Sequence, residues 1–374
     1  MGSLSPPRPR PNQQSSPPSG FQIFMSFCAK QPPSSSNDMS SNWITRYDPS
    51  NNAWERLTSI PGLLHNHVLK DFSMVSIADS VFVVGGRLYR KVFGSGQDTD
   101  DDDTGEVRST VLRYDVRNDS WSRCAPMRVA RFDFACTVYD DKIYVAGGKT
   151  TVDCTGGLSS AEVYDPALDQ WKAMPSLTTG RHKCVGVTWQ GKIYVVGGFA
   201  GRSGESWSIL EQCSAEVYDC ESAKWDLVMG MWQLDIPPNQ IVAVDDRLFS
   251  CGDCLNAWKG HIESYDGKLR IWNVVDGSHR RTLSCTIDTL DDATGANWYQ
   301  MQRVYLTMAA VGTHLYVLAG YRKADGGEDI SSLVSVVHVF DTSVDGNGFG
   351  WKSFEPTEEH VEMELCSHCC VVRH

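Results

Sequence analysis

An aromatic-Asp pair followed, after a short polar turn, by a tryptophan recurs six times along the chain. The instances are Tyr47-Asp48…Trp54, Tyr114-Asp115…Trp121, Tyr164-Asp165…Trp171, Tyr218-Asp219…Trp225, Tyr265-Asp266…Trp272 and Phe340-Asp341…Trp351. In the first five the tryptophan stands seven positions after the tyrosine; the sixth is stretched. Self-similarity at a period of roughly 50 residues requires a fold in which each repeat is one supersecondary unit packed against its neighbours.

A second signal interleaves with the first. Apolar runs rich in β-branched residues end in a glycine pair at Val81–Gly86, Ile143–Gly148 and Ile193–Gly198, and in weakened form at Leu248–Asp253 and Leu315–Gly320. Another apolar stretch precedes each run, as in Phe134–Tyr139 and Val185–Trp189, joined by the tight turns Asp140-Asp141 and Gln190-Gly191. Short strands separated by two-residue turns are hairpins. One unit is therefore four antiparallel strands: an inner strand, the double-glycine strand, the Tyr-Asp strand and the Trp strand. That is a propeller blade.

These residues resemble the kelch repeat over about residues 42–374. An arginine stands twelve positions before the double-glycine strand in three units, Arg131, Arg181 and Arg303, with Leu69 and Ile236 in the equivalent places of two others. Kelch repeats commonly carry a basic residue there. The resemblance implies a partner-binding surface around the mouth of a central channel. Positions two after the arginine are expected at that mouth: Asp133, Lys183 and Tyr305, with Asp71 in the corresponding place of the first full unit. Arg131, Arg181 and Arg303 join them as candidates, either to bind a carboxylate or to anchor loops between blades.

The unit count sets how the ring closes. Six Tyr-Asp/Trp units stand beside five double-glycine strands, and Leu365–Val372 reads as a lone inner strand. The expected fold is all-β, a six-bladed kelch β-propeller whose last blade is closed by N- and C-terminal strands. Closure removes sheet edges that would otherwise template aggregation. The missing second strand is assigned to Phe21–Phe27, with 21–28 a docked strand inside a Pro/Ser-rich tail, 1–41, that is expected to be largely disordered. The tail has no acidic residue before Asp38, a composition it shares with organellar transit peptides. The expected location is the cytoplasm or nucleus, or a plastid if the tail is such a peptide.

Charge and composition narrow the function. The net charge is −12 and the pI near 5.3, which opposes binding to a phosphate backbone. No apolar run approaches a membrane span of about 20 residues. The expected partner is thus another protein, with neither nucleic acid nor membrane. Thirteen cysteines occur without a regular framework, so reduced, packed thiols are expected. Cys251…Cys254 and Cys366-Ser367-His368-Cys369-Cys370 contain metal-ligating types, but strict strand alternation splits the second set between two faces. No metal and no cofactor are expected. The clustered carboxylates Asp98–Asp103 read as a solvated loop, or as a dock for calcium or a basic partner.

Catalytic signatures are missing from the sequence. No Ser-His-Asp or P-loop pattern appears, no Glu-x3-Asp-x3-His pattern like that of the iron-using kelch specifier proteins, and no Tyr/His/Cys pairing like that of kelch-type copper oxidases. His65-Asn66-His67 reads as polar surface. Tyr47–Trp54 and Glu364–Arg373 resemble plant F-box/kelch proteins, in which the ring selects a substrate for a ubiquitin ligase, although no F-box is evident here. The expected function is a protein-protein interaction module, a substrate-recognition or scaffold protein related to such adaptors. The alternative is a kelch-type metal-dependent enzyme with its site at the central channel.

Overall fold

A computed structural model describes residues 20–29, 42–64, 66–90, 105–154, 156–200, 209–234, 236–251, 262–275, 302–323, 332–343, 350–359 and 363–373. The acidic run Asp98–Asp103, His65, Cys254, most of the Ser278–Gln302 insertion and most of the tail lie outside the described residues.

The fold is an all-β propeller. Five sheets follow chain order from inside to outside. Blade 1 is Ser73–Ile77, Ser80–Val84, Val111–Asp115 and Ser120–Cys124; blade 2 is Ala135–Tyr139, Lys142–Ala146, Ala161–Asp165 and Gln170–Met174. Blade 3 is Val185–Trp189, Lys192–Val196, Ala215–Asp219 and Lys224–Val228; blade 4 is Ile241–Val244, Arg247–Ser250, Glu263–Asp266 and Ile271–Val274. Blade 5 is Gln302–Val311, His314–Lys323, Ser332–Asp341 and Trp351–Ser353, with Thr357–Glu359 beside its third strand.

The closing blade joins distant parts of the chain. From outside inward it runs Ala53–Ser59, Trp43–Asp48, Phe21–Ala29 and Met363–Arg373. The Ser76 hydroxyl of blade 1 donates to the Val371 carbonyl at 2.6 Å, and Cys369 N–H donates to Thr307 of blade 5 at 3.0 Å. The C-terminal strand is thus held by neighbours on both sides. The innermost strands contact one another in a cycle, from this strand through blades 1 to 5 and back.

The repeat residues each have a mechanical role. The repeat aspartates accept backbone N–H bonds two or three residues on, as Asp115 does from Arg117 and Asn118 at 3.0 Å, closing the turn to the Trp strand. Each repeat tyrosine packs on its own tryptophan, with ring centroids 5.1 Å apart for Tyr164 and Trp171. The indole N–H then reaches the preceding blade: Trp121 donates to Thr58, Trp171 to Ala125 O, Trp225 to Pro175 O and Trp272 to Met231 O. The glycine pair is required at the seam. At Gly148, φ is +92°, and a Cβ would stand 2.7 Å from Phe132 O. Its N–H donates at 2.9 Å to the carbonyl of Arg181 in the connection entering blade 3.

One consequence of register organises the surface. Inner strands run antiparallel to glycine strands, so Ala135 pairs with Ala146 and Val185 with Val196. The entry to each inner strand therefore lies at the same end as the glycine pair. Three cross-connections extend this end: His67–Lys70 with Arg87–Arg90, the bridge Phe132 to Lys149, and Arg181–His182 with Phe199–Ala200. We term this the glycine face. The two-residue hairpins and the Asp-capped turns form the opposite, hairpin face.

Candidate functional site

Three residues at the entries of consecutive inner strands adopt left-handed backbone: Asp71 (φ 56°), Asp133 (φ 53°) and Lys183 (φ 52°). Side chains other than Gly, Asn and Asp seldom occupy that region without compensation. Here a chain of main-chain bonds holds them: Asp133 N–H donates to Asp71 O at 3.4 Å, and Lys183 N–H to Asp133 O at 2.7 Å. The result is a collar around the channel mouth, with all three side chains lining the cavity.

The collar is electrostatically graded. The Asp71 carboxylate accepts from Arg87 at 3.1 Å and from the Tyr89 hydroxyl at 2.7 Å. Arg87 itself lies over the rings of Tyr89 and Phe132, 4.4 and 4.5 Å from their centroids. Among the described residues no group donates a hydrogen bond to the Asp133 side chain. Desolvation, and then repulsion from Asp71, push its pKa up to about 6 against the pull of Lys183, Arg87 and Lys149. Lys183 is exposed and forms no ion pair among the described residues. A carboxylate and an ammonium, neither paired by a side chain among the described residues, therefore sit one blade apart on the ring.

Behind the mouth lies a cavity of about 740 Å³, walled by the inner strands of every blade. Its wall carries Cys136, Cys184, Cys251, Cys366, Cys369 and Cys370. Burial raises the pKa of each, so these thiols stay protonated and poorly nucleophilic. His368 faces the same space and is held neutral by burial, its pKa lowered to about 4. Strict alternation fails in this strand, because two register shifts interrupt its pairing with Phe21–Ala29. Among the described residues no group of three or more His, Cys, Asp or Glu could hold a metal ion. Among them, no helix is long and apolar enough to cross a membrane.

Arg131 and Arg181, expected among the partner-binding residues, are instead sealed inside the blades with no exposed surface. Arg181 Nη1 donates to Gly197 O and Ser214 O, and Nη2 to the Ser214 hydroxyl and Glu216. Arg131 repeats this with Gly147, Ser160 and Glu162, the last at 2.7 Å. Each carboxylate also accepts two backbone N–H bonds from the entering connection, Arg128 and Val129 for Glu162, Thr178 and Thr179 for Glu216. These arginines anchor loops. The buried glutamates escaped the sequence reading, although both stand in the identical words Ala161–Asp165 and Ala215–Asp219, two residues before the tyrosine.

Arg303 borders the channel near Cys251. Tyr305 borders it too, but its ring packs edge-on against Phe27 at 5.2 Å and its hydroxyl pairs with Ser335 at 2.8 Å. A register shift between Arg303 and Tyr305 turns this side chain into the core, where aspartate or lysine at the matching positions faces the mouth. Of the seven candidates, the structure gathers Asp71, Asp133, Lys183, Arg303 and Tyr305 along the channel and withdraws Arg131 and Arg181.

Comparisons with known proteins follow this geometry. A family model described as "FKB95, Kelch-repeats domain" matches residues 70–299, more than half of the chain. F-box/kelch-repeat protein SKIP30 of Arabidopsis thaliana is 32% identical over 239 residues, covering 60% of this chain and 59% of that protein. Another Arabidopsis thaliana F-box/kelch-repeat protein is 28% identical, covering 58% and 54%. Kelch-like protein 36 of Mus musculus is 28% identical, covering 49% and 26%. The chain thus spans little more than half the length of the plant relatives it matches. A solved structure titled "Structure of YjhT" superposes with a TM-score of 0.51 at 14% identity, over 79% of this chain and 90% of that one, a likeness of fold alone.

Proposed function

Because the chain belongs to the kelch-repeat family, we propose that its ring is a recognition module for another protein and that the glycine face around the channel mouth makes the contact. The observation that carries this reading is the collar of Asp71, Asp133 and Lys183, held by main-chain bonds at positive φ. A rigid frame that fixes charged side chains in strained backbone suits recognition, since little ordering entropy remains to be lost on binding. The long connections after the glycine strands emerge from the same face, where variable loops can contribute specificity.

The finer reading is substrate recognition or scaffolding of the kind carried out by F-box/kelch adaptors of ubiquitin ligases. It rests on the names of the plant relatives.

Affinity purification from plant extract, with quantitative mass spectrometry, tests both levels. Proteins retained by the parent chain and lost from a doubly substituted Asp133→Lys, Lys183→Glu chain are mouth-dependent partners, and ligase subunits among the retained proteins support the adaptor reading. A retained set indifferent to the double substitution removes the mouth from the proposal.

A further inference from the structure

A second cavity, also about 740 Å³, opens on the hairpin face at the seam between blades 3 and 4. Blade 3 supplies Trp189, Gln190 and Tyr194, and blade 4 supplies Arg247, Tyr265, Lys268 and Arg270. Its origin lies in a broken repeat rule. In three units the residue five places after the tyrosine is Asn52, Asp119 or Asp169, each at positive φ and each accepting the tyrosine hydroxyl, at 3.0, 2.6 and 2.6 Å. Two of these side chains also bridge to the preceding blade. Asp169 accepts Ala125 N–H at 2.7 Å, and the Asn52 amide donates to Glu355 O at 3.2 Å.

Among the described residues blades 3 and 4 lack both this cap and this bridge. The equivalent position in blade 3 is Ala223 (φ 52°) and in blade 4 is Arg270 (φ 57°). The backbone is conserved across the units while the side chain changes from acceptor to cation. Among the described residues the Tyr265 hydroxyl has no hydrogen-bond partner, and neither Lys268 nor Arg270 forms an ion pair. Both cations are exposed, with Leu269, 68% exposed, between them. The cleft floor is aromatic: Trp189 packs tilted against Tyr194 at 5.4 Å and meets Tyr265 edge-on at 6.0 Å. The opposing charges are Asp266, whose carboxylate is occupied by the N–H groups of Lys268 and Leu269, and the exposed Asp246.

We propose that this cleft is a second binding site, for a carboxylate-rich segment of a partner protein that carries an apolar or aromatic residue among its acids. Lys268, Arg270 and the Tyr265 hydroxyl receive the carboxylates. The aromatic floor receives the apolar side chain. The site stands apart from the mouth, on the opposite face, and does not rest on the reading given for it.

Fluorescence anisotropy on the full chain tests the proposal with a labelled peptide of four glutamates around a phenylalanine, and its lysine counterpart as control. The acidic peptide is expected to bind saturably and at least tenfold more tightly than the basic one. Arg270→Asp restores the acceptor found at Asp119 and Asp169, so it is expected to weaken the acidic peptide at least tenfold while raising the melting temperature. Lys268→Glu, at an exposed position, is expected to weaken it likewise. Equal binding of the two peptides overturns the proposal, as does an affinity unmoved by Arg270→Asp. Loss of binding in Asp133→Lys, Lys183→Glu with retention in Arg270→Asp assigns the peptide to the mouth and also overturns it.

Discussion

Arg181 and Glu216 meet at 3.2 Å with neither side chain reaching solvent. Their charges are isolated from water and from salt, and each relies on the other. Removing one member leaves an uncompensated charge inside a β-sheet, a change that costs about 3–5 kcal/mol. Arg181→Ala is expected to lower the urea midpoint accordingly. Arg181→Lys recovers only part of the loss, because a lysine cannot reproduce the forked bonds to Gly197, Ser214 and Glu216. Chemical denaturation of the two variants beside the parent checks the order.

Gly148→Ala places a methyl group at 2.7 Å from both Phe132 O and Phe134 Cβ, at a φ of +92°. Backbone strain alone amounts to about 1–3 kcal/mol at such positions. The close approach adds to it, because both neighbours belong to the wall of the same blade. Gly156→Ala is a control with open space around the new carbon. The expected result is a large fall in melting temperature for the first variant and little change for the second.

Trp171 separates packing from hydrogen bonding. Its indole N–H reaches Ala125 O across the blade seam at 2.8 Å, while its ring rests on Tyr164. Trp171→Phe keeps most of the ring contact and loses the bond, about 1 kcal/mol. Trp171→Ala loses both, about 3 kcal/mol, the low end for a large aromatic because this ring is half-buried. Equal melting temperatures for the two variants would show that the ring contributes nothing beyond its bond.

Asp133 gives the fold a pH signature. Its folded pKa is raised to about 6, from an ordinary value near 3.9 in the unfolded chain. Between these values the folded state holds a proton that the unfolded state has released, so this group's contribution falls as pH rises from about 4 to about 6. Asp133→Asn removes that dependence. The variant is expected to match the parent near pH 4 and to exceed it near pH 7, as read from urea midpoints. His182, His338 and His368, lowered to about 4, act in the opposite sense, but parent and variant share them and they cancel in the difference.

Much of this architecture was legible because repetition amplifies weak local signals. One aromatic-Asp pair says little, whereas six in register place the turns, the seams and the inner strands. The candidate site was half legible. Counting two residues past the arginine located Asp133 and Lys183, since both units keep the same backbone path. The same count reached Tyr305, which borders the channel, but a bulge after Arg303 turns its ring into the core and no residue type announces that turn. The buried role of Arg131 and Arg181 could have been read from Glu162 and Glu216, each two places before its tyrosine, but an acid in a strand reads first as surface. Left-handed backbone at Lys183 carries no sequence cue at all.

The innermost strand of the closing blade, Met363–Arg373, follows every other described strand of the ring in sequence. Until it clears the ribosome, Phe21–Ala29 lacks a partner on one side and the wheel has a gap between its first and last spokes. The ring therefore cannot close before that strand has emerged, and a nascent chain needs shelter at two sheet edges until it docks.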